Sequence, residues 1–103
     1  QVTNPAGNDG GDRITDFQTG VDRLDITNTG LTATQITNES GSLGYGGIIT
    51  GATPPLSGPY IVIFHNTTAG TWEVWYDPAV SSAGGEVLIA NSGSTITAGD
   101  ITL

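Results

Sequence analysis

Half of the acidic side chains of this chain fall in its first quarter, within a glycine-rich segment. Five of the seven aspartates lie between positions 9 and 25, namely Asp9, Asp12, Asp16, Asp22 and Asp25. Hard cations such as Ca²⁺ take about six to eight oxygen ligands from carboxylates, backbone carbonyls and water. Glycine-rich turns suit such an ion because their carbonyls can converge without side chains in the way. The segment therefore predicts calcium binding, and the alternative is that these aspartates are solvated turn formers.

The distances along the chain between these residues limit which of them could bind the same ion. Gly7 and Gly11 offer backbone carbonyls close in sequence to Asp9 and Asp12. Asp12 and Asp16 are four residues apart, so an extended strand would point both to one face at a separation of roughly 13 Å. That distance is too long for one ion. A shared site therefore requires a bend between the two carboxylates, or two separate ions.

The remaining aspartates have simpler explanations. Asp22 and Asp25 flank Arg23, which favours a surface charge pair of little energetic weight. Metal ligation is the alternative for both, and Asp25 stays among the candidate ligands. Asp77 precedes a proline at the end of a predicted strand, and Asp100 follows a threonine by three residues. We expect these last two carboxylates to serve turns.

Composition excludes several classes of partner. The 103 residues include ten acidic side chains against two arginines and no lysine, for a formal net charge of −8. Without a basic patch, neither nucleic acid nor an anionic membrane is an expected partner. The chain has no cysteine, so disulfides and thiolate ligands are impossible. No apolar run approaches the roughly 18 residues of a membrane span, and the start at Gln1 suggests a piece of a larger polypeptide.

Abundant glycine, threonine and serine favour short strands joined by tight turns. The sequence predicts one all-β domain over 1–103, a small antiparallel β-sandwich or meander of roughly six to eight short strands. It would comprise a calcium-binding segment at 1–27, a loop-rich region at 28–58, and antiparallel strands with a C-terminal tail at 59–103. Within the loop-rich region, residues 32–35 fit a capping box that could open one helical turn. Apolar patterns place the strands at 13–17, 24–27, 60–64, 71–76, 85–90 and 101–103.

Two of these strands carry most of the aromatic side chains. The continuous apolar run at 60–64 predicts a central strand buried on both faces, paired as a hairpin with 71–76. Alternation places Trp72 on one face and Trp75 on the other, which makes Trp75 the better candidate for exposure and for stacking on a sugar. The lone His65 has no nucleophile or paired acid in a recognisable motif, so we do not expect an enzyme.

A resemblance to a known family rests on both ends of the chain. Residues 12–17 read Asp-Arg-Ile-Thr-Asp-Phe, and residues 20–26 read Gly-Val-Asp-Arg-Leu-Asp-Ile. This pattern resembles the segment that ends the calcium-binding repeats of RTX (hemolysin-type) proteins, which are exported by type I secretion. The stretch from 75 to 103 is similar to the C-terminal region of that family. The tandem glycine-rich nonapeptides are missing, and only residues 7–12 form a possible remnant.

The resemblance implies the capping domain that follows an RTX β-roll, rather than a roll itself. It favours Asp12 and Asp16 as ligands, followed by Asp9 and the carbonyls of Gly7 and Gly11. The leading hypothesis is a non-catalytic calcium-binding C-terminal module of a larger secreted or cell-surface bacterial protein. It would fold or be stabilised on extracellular calcium and would support export through the type I secretion machinery. The alternative is an adhesin or carbohydrate-binding β-sandwich with structural calcium and a glycan as ligand.

Overall fold

The computed structural model describes residues 12–26, 30–46, 58–80 and 84–103, which form strands and two short 3-10 helices. The all-β class predicted from composition is confirmed. One 3-10 helix, Ala33–Gln35, leads into the third strand, and the other, Ala98–Asp100, leads into the last. Among the described residues, no helix is long and apolar enough to cross a bilayer. The strands are β1 (Asp12–Ile14), β2 (Leu24–Asp25), β3 (Ile36–Gly41), β4 (Tyr60–Asn66), β5 (Thr71–Asp77), β6 (Val87–Ser92) and β7 (Ile101–Thr102).

The strands form a mixed five-stranded sheet and a small two-stranded sheet. The large sheet has the order β1-β6-β5-β4-β3, and the small one pairs β2 with β7. Strands β4, β5 and β6 are antiparallel neighbours, as expected for the second half of the chain. The other three pairs, β1 with β6, β3 with β4 and β2 with β7, are parallel. A purely antiparallel arrangement is therefore wrong, because long connections bring early strands beside later ones in the same direction.

The hairpin of β4 and β5 forms the centre of the large sheet, as the sequence predicts. Residues 61–64 are buried on both faces of β4, which explains their continuous apolar character. At the turn, the Asn66 side chain accepts hydrogen bonds from the backbone N–H groups of Thr68 at 3.1 Å and Ala69 at 3.0 Å. Gly70 then takes a φ of +70°, a conformation that favours glycine, before β5 begins.

Two apolar clusters lie on the faces of the large sheet. The smaller one contains Val62, Phe64 and Val80, with Tyr45, Tyr60 and Trp75 packed against it. The main cluster draws residues from both ends of the described chain, so the first and last strands share one core. Its buried members are Phe17, Leu24, Ile26, Ile61, Ile63, Val74, Ile89, Ala90, Ile96 and Ile101.

Two strand predictions need correction. The first strand ends at Ile14 instead of continuing to Phe17, because the chain bends at residues 15–16. That bend lets both Ile14 and Phe17 reach the main cluster, which a straight strand would not allow for residues three apart. The region 28–58, expected to be loop-rich, contributes the six-residue edge strand β3. Only Ile36 in that strand is strongly apolar, so a search for apolar patterns misses it.

The helical turn predicted at residues 32–35 is confirmed, and the chain builds a second one in the same way. The Gln35 side chain accepts a hydrogen bond from the Thr32 backbone N–H at 3.0 Å, and Asp100 does the same for Thr97 at 2.9 Å. The two segments read Thr-Ala-Thr-Gln-Ile-Thr at 32–37 and Thr-Ala-Gly-Asp-Ile-Thr at 97–102. Each capped turn leads directly into a strand that pairs in parallel with its neighbour.

Replacing Gly70 by alanine tests the backbone conformation of the central hairpin. We expect Gly70→Ala to lower the free energy of unfolding by about 1–2 kcal/mol, because an L side chain is strained at this positive φ. The control is Gly44→Ala, where a Cβ would meet no atom within 4 Å and no positive φ is required. Denaturant titration measures both variants. Equal losses of stability would contradict this account of the turn.

Candidate functional site

The structure locates three of the six predicted calcium ligands. Asp12 opens β1, Asp16 is exposed in the bend that follows, and Asp25 is half-buried in β2. The bend that a shared ion would require between Asp12 and Asp16 is therefore present. The other three predicted ligands, Gly7, Asp9 and Gly11, lie outside the described residues.

Asp16 borders a depression of about 470 Å³ between the ends of β1 and β2. Asp22 also lines it, but its carboxylate accepts a hydrogen bond from the Gln18 backbone N–H at 2.9 Å and so closes its own turn. Within the described ranges, no three His, Cys, Asp or Glu side chains form a group that could hold a metal ion. A calcium site at Asp16 would therefore take further oxygen ligands from backbone carbonyls, neutral polar side chains, water or residues beyond those ranges.

Asp100 connects the two ends of the described chain. The residue is only 2 % exposed. Its carboxylate accepts hydrogen bonds from the Gly20 backbone N–H at 2.7 Å and from the Thr19 hydroxyl. It also accepts from the backbone N–H and the hydroxyl of Thr97, at 2.9 and 3.1 Å. The turn role expected for Asp100 is confirmed, and the same carboxylate holds a loop 80 residues earlier in the chain. We refer to residues 18–26 and 96–103 together as the terminal clasp.

Two opposing effects set the pKa of Asp100. Burial raises the pKa, and the hydrogen bonds from Gly20, Thr19 and Thr97 lower it because they stabilise the charged carboxylate. The hydrogen bonds prevail, and the pKa lies below its ordinary value of 3.8. Because the folded state holds the charged form more tightly, the stabilisation is complete above the unfolded-state pKa. It is lost as the pH falls through the lower pKa of the folded state.

Arg23 supplies the second polar connection of the terminal clasp. Its guanidinium donates to the carbonyl oxygens of Gly99 at 2.9 Å and Ile101 at 3.4 Å, and its Nε donates to the Thr102 hydroxyl at 2.9 Å. Immediately after Arg23, strand β2 pairs with β7 and places Leu24 opposite Ile101. Polar contacts and a shared apolar core thus hold the C-terminal tail on the segment that follows β1.

Asp77, at the end of β5, carries a second buried carboxylate. It is 0 % exposed and accepts hydrogen bonds from the Tyr45 hydroxyl at 2.6 Å and the Ala79 backbone N–H at 3.0 Å. Burial, followed by the hydrogen bond to Asp77 and its charge, raises the pKa of Tyr45 far above its ordinary value. The phenol therefore stays protonated and remains the donor. The turn role expected for Asp77 is confirmed, while the contact with Tyr45 was not predicted.

The two tryptophans of β5 lie on opposite faces, as alternation predicts, but Trp75 is half-buried rather than exposed. It packs on the smaller cluster, its ring centroid lies 5.4 Å from that of Tyr45, and its indole N–H donates to Glu73 at 2.8 Å. Trp75 therefore does not form the exposed platform expected of it. On the other face, Trp72 stacks on His65 with centroids 4.1 Å apart and an interplanar angle of 8°.

Sequence reasoning missed the partners of Asp100. The threonine three residues before it signals a capped turn, and that part of the prediction needed only local information. Thr19, Gly20 and Arg23 carry no local signal for their contacts, because their partners lie 76 to 81 residues away. The internal similarity between residues 32–37 and 97–102 was the available clue that both turns end in a strand.

Replacing Asp100 by asparagine tests the terminal clasp. We expect Asp100→Asn to lower the free energy of unfolding by roughly 2–4 kcal/mol at pH 7, because charge-assisted bonds are lost and an amide N–H₂ faces other donors. Asp22→Asn is the matched control, since it removes the same charge from an exposed turn and should cost much less. Denaturant titrations at pH 7 and pH 3 measure both. The Asp100 deficit should shrink at pH 3, and an equal deficit for the two variants at pH 7 would contradict the assignment.

Comparisons with known proteins add no relative. No family model, curated protein or solved structure matches this chain. The resemblance to RTX proteins thus rests on the residues quoted for it.

Proposed function

We propose that this chain is a non-catalytic, calcium-binding C-terminal module of a larger secreted bacterial protein, stabilised by extracellular calcium. By its resemblance to RTX proteins, it would also support export by the type I secretion machinery. The observation that carries the proposal is the course of the acidic segment. This segment, residues 7–16, includes β1, an edge strand of the large sheet, and the chain then continues into the terminal clasp.

The charge balance of the chain favours the binding of a cation from solution. The formal net charge is −8, and the two arginines are the only basic side chains apart from His65. Arg13 donates to the Asn91 side chain at 2.9 Å, and Arg23 donates to the C-terminal tail. Both guanidiniums therefore have polar partners among the described residues, while the sequence places the carboxylates of Asp9, Asp12 and Asp16 close together. A divalent ion would remove the mutual repulsion among these carboxylates.

The roles of the other aspartates narrow the ligand set. Asp22, Asp77 and Asp100 each accept backbone hydrogen bonds in turns, so their carboxylates already have structural partners. Oxygen ligands for calcium would then come mainly from the acidic segment, and Asp25 of β2 stays a candidate on the sequence pattern. The candidates are Asp9, Asp12, Asp16 and Asp25, together with the backbone carbonyls of Gly7 and Gly11.

Ion binding would stabilise the domain through β1. This strand has three residues and pairs with β6, with Asp12 opposite Ala90 and Ile14 opposite Ser92. So short a strand gains little from its own pairing and benefits from an anchor at its start. A ligand that binds only the folded state adds about 2.7 kcal/mol when its concentration is a hundred times Kd. Because calcium is scarce inside cells and abundant outside, the module would be loose before export and compact afterwards.

Thermal unfolding with and without calcium tests the proposal. Chelated wild-type protein should melt at a temperature several degrees higher after addition of 5 mM CaCl₂, since 1 kcal/mol shifts Tm by about 4–8 °C in a domain of this size. Mg²⁺ at the same concentration should do much less, because it dehydrates reluctantly and demands octahedral geometry. Differential scanning calorimetry gives Tm, and isothermal titration calorimetry gives the stoichiometry.

A pair of variants identifies the site. Asp16→Asn should shift the calcium midpoint at least tenfold upward, whereas Glu39→Gln removes the same charge from β3, at the opposite edge of the sheet, and should leave it unchanged. A wild-type Tm that does not respond to calcium would refute the proposal. Equal midpoint shifts in the two variants would show a general effect of charge and would refute the assigned ligands.

A further inference from the structure

A polar groove opens beside the main apolar cluster, on the face of the large sheet that carries Trp72. Its volume is about 410 Å³, within the ~300–1,000 Å³ that small-molecule sites occupy. Ser40, His65 and Trp72 stand opposite one another on β3, β4 and β5 and form its floor. Ile96 and Thr97, which precede the second 3-10 helix, also line it.

The aromatic part of the groove is already ordered. His65 and Trp72 are half-buried, and their rings lie nearly parallel with centroids 4.1 Å apart. Each ring covers one face of the other, and both side chains line the groove. Because the stack and the packing of Trp72 against the main cluster fix the rings, a ligand need not order them on binding. An aromatic ring face suits the C–H-rich face of a pyranose, since both are flat and apolar.

The polar part of the groove offers both donors and acceptors. Asn38, Ser40 and Thr97 are exposed side chains that line the groove. An asparagine amide provides two donors and an acceptor, and the Ser40 hydroxyl provides one donor and two acceptor lone pairs. The Thr97 hydroxyl donates to Asp100 and offers its acceptor lone pairs. A neutral imidazole adds one of each. Neighbouring hydroxyls of a sugar present the same mixture, so they can donate to and accept from this set.

Charge selects against an anionic ligand. Glu39 borders the groove, but alternation along β3 directs its side chain to the opposite face, where its charge acts on Tyr45. The residues that line the groove in the described part of the chain include no lysine or arginine. With a net charge of −8 on the whole chain, an anion would meet repulsion without a compensating partner.

From this geometry we propose that the groove binds a neutral saccharide. One sugar ring packs against the His65 and Trp72 rings where they line the groove, and its hydroxyls bond with Asn38, Ser40 and Thr97. This site is distinct from the acidic segment. It also lies on the face of the sheet opposite Trp75, the residue that the sequence favoured for sugar stacking.

Amide-resolved NMR titration tests the proposal. The probes are the neutral trisaccharides cellotriose, maltotriose and N,N′,N″-triacetylchitotriose, with trigalacturonate as the anionic comparison. At least one neutral probe should give saturable shifts at Asn38, Ser40 and Thr97 and at the Trp72 indole N–H. Trigalacturonate should bind at least tenfold more weakly. Saccharide titrations both in chelator and in calcium distinguish saccharide binding from calcium binding. The Tm measurement tests calcium binding independently.

Matched variants assign the contacts. Asn38→Ala, at an exposed position of an edge strand, should weaken binding about fivefold through loss of hydrogen bonds to the sugar. Ser42→Ala changes an exposed residue of the same chain segment outside the groove and should leave affinity unchanged. His65→Ala should weaken binding further, and its folding is checked by the same spectra. Absence of saturable shifts with all three neutral probes, or shifts centred on the Trp75 indole, would overturn the proposal.

Discussion

The carboxylate of Asp100 loses its water on folding and is stable only because Thr19, Gly20 and Thr97 donate hydrogen bonds to it. Two of those donors lie in a segment that precedes Asp100 by 80 residues, so the turn at 18–22 and the last 3-10 helix have to form together. Once they do, β7 lies beside β2, and Ile96 and Ile101 enter the main cluster. The apolar core and the buried charge thus require the same arrangement of the two ends of the described chain.

The terminal clasp connects both proposed binding regions. On one side, the acidic segment and β1 lead through the bend at 15–16 into the turn that binds Asp100. On the other side, Thr97 donates to Asp100 and also lines the groove beside His65 and Trp72. An ion that fixes β1 would therefore favour the clasp, and the clasp holds one wall of the groove. The two regions are linked through structure while each has its own ligand chemistry.

Features that depend on neighbouring residues could be predicted from the sequence, and those that depend on distant partners could not. The central hairpin follows from apolar residues 61–64, and the capped turn at 32–35 from a threonine and a glutamine three residues apart. Parallel pairing of β1, β3 and β7 depends on long connections that leave no local pattern. Alternation predicted the face of the sheet on which Trp75 lies but not its burial. That burial depends on Tyr45, which lies 30 residues earlier in the chain.

Native-state hydrogen exchange tests most directly whether the acidic segment and the terminal clasp form one cooperative unit. The reporters are the backbone N–H groups of Gly20, which donates to Asp100, and of Ile26, which donates to the Thr102 carbonyl at 2.7 Å. If calcium on the acidic segment stabilises the whole fold, exchange at both positions should slow by the same factor when calcium replaces chelator. Calcium binding that leaves exchange at Gly20 and Ile26 unchanged would contradict the account.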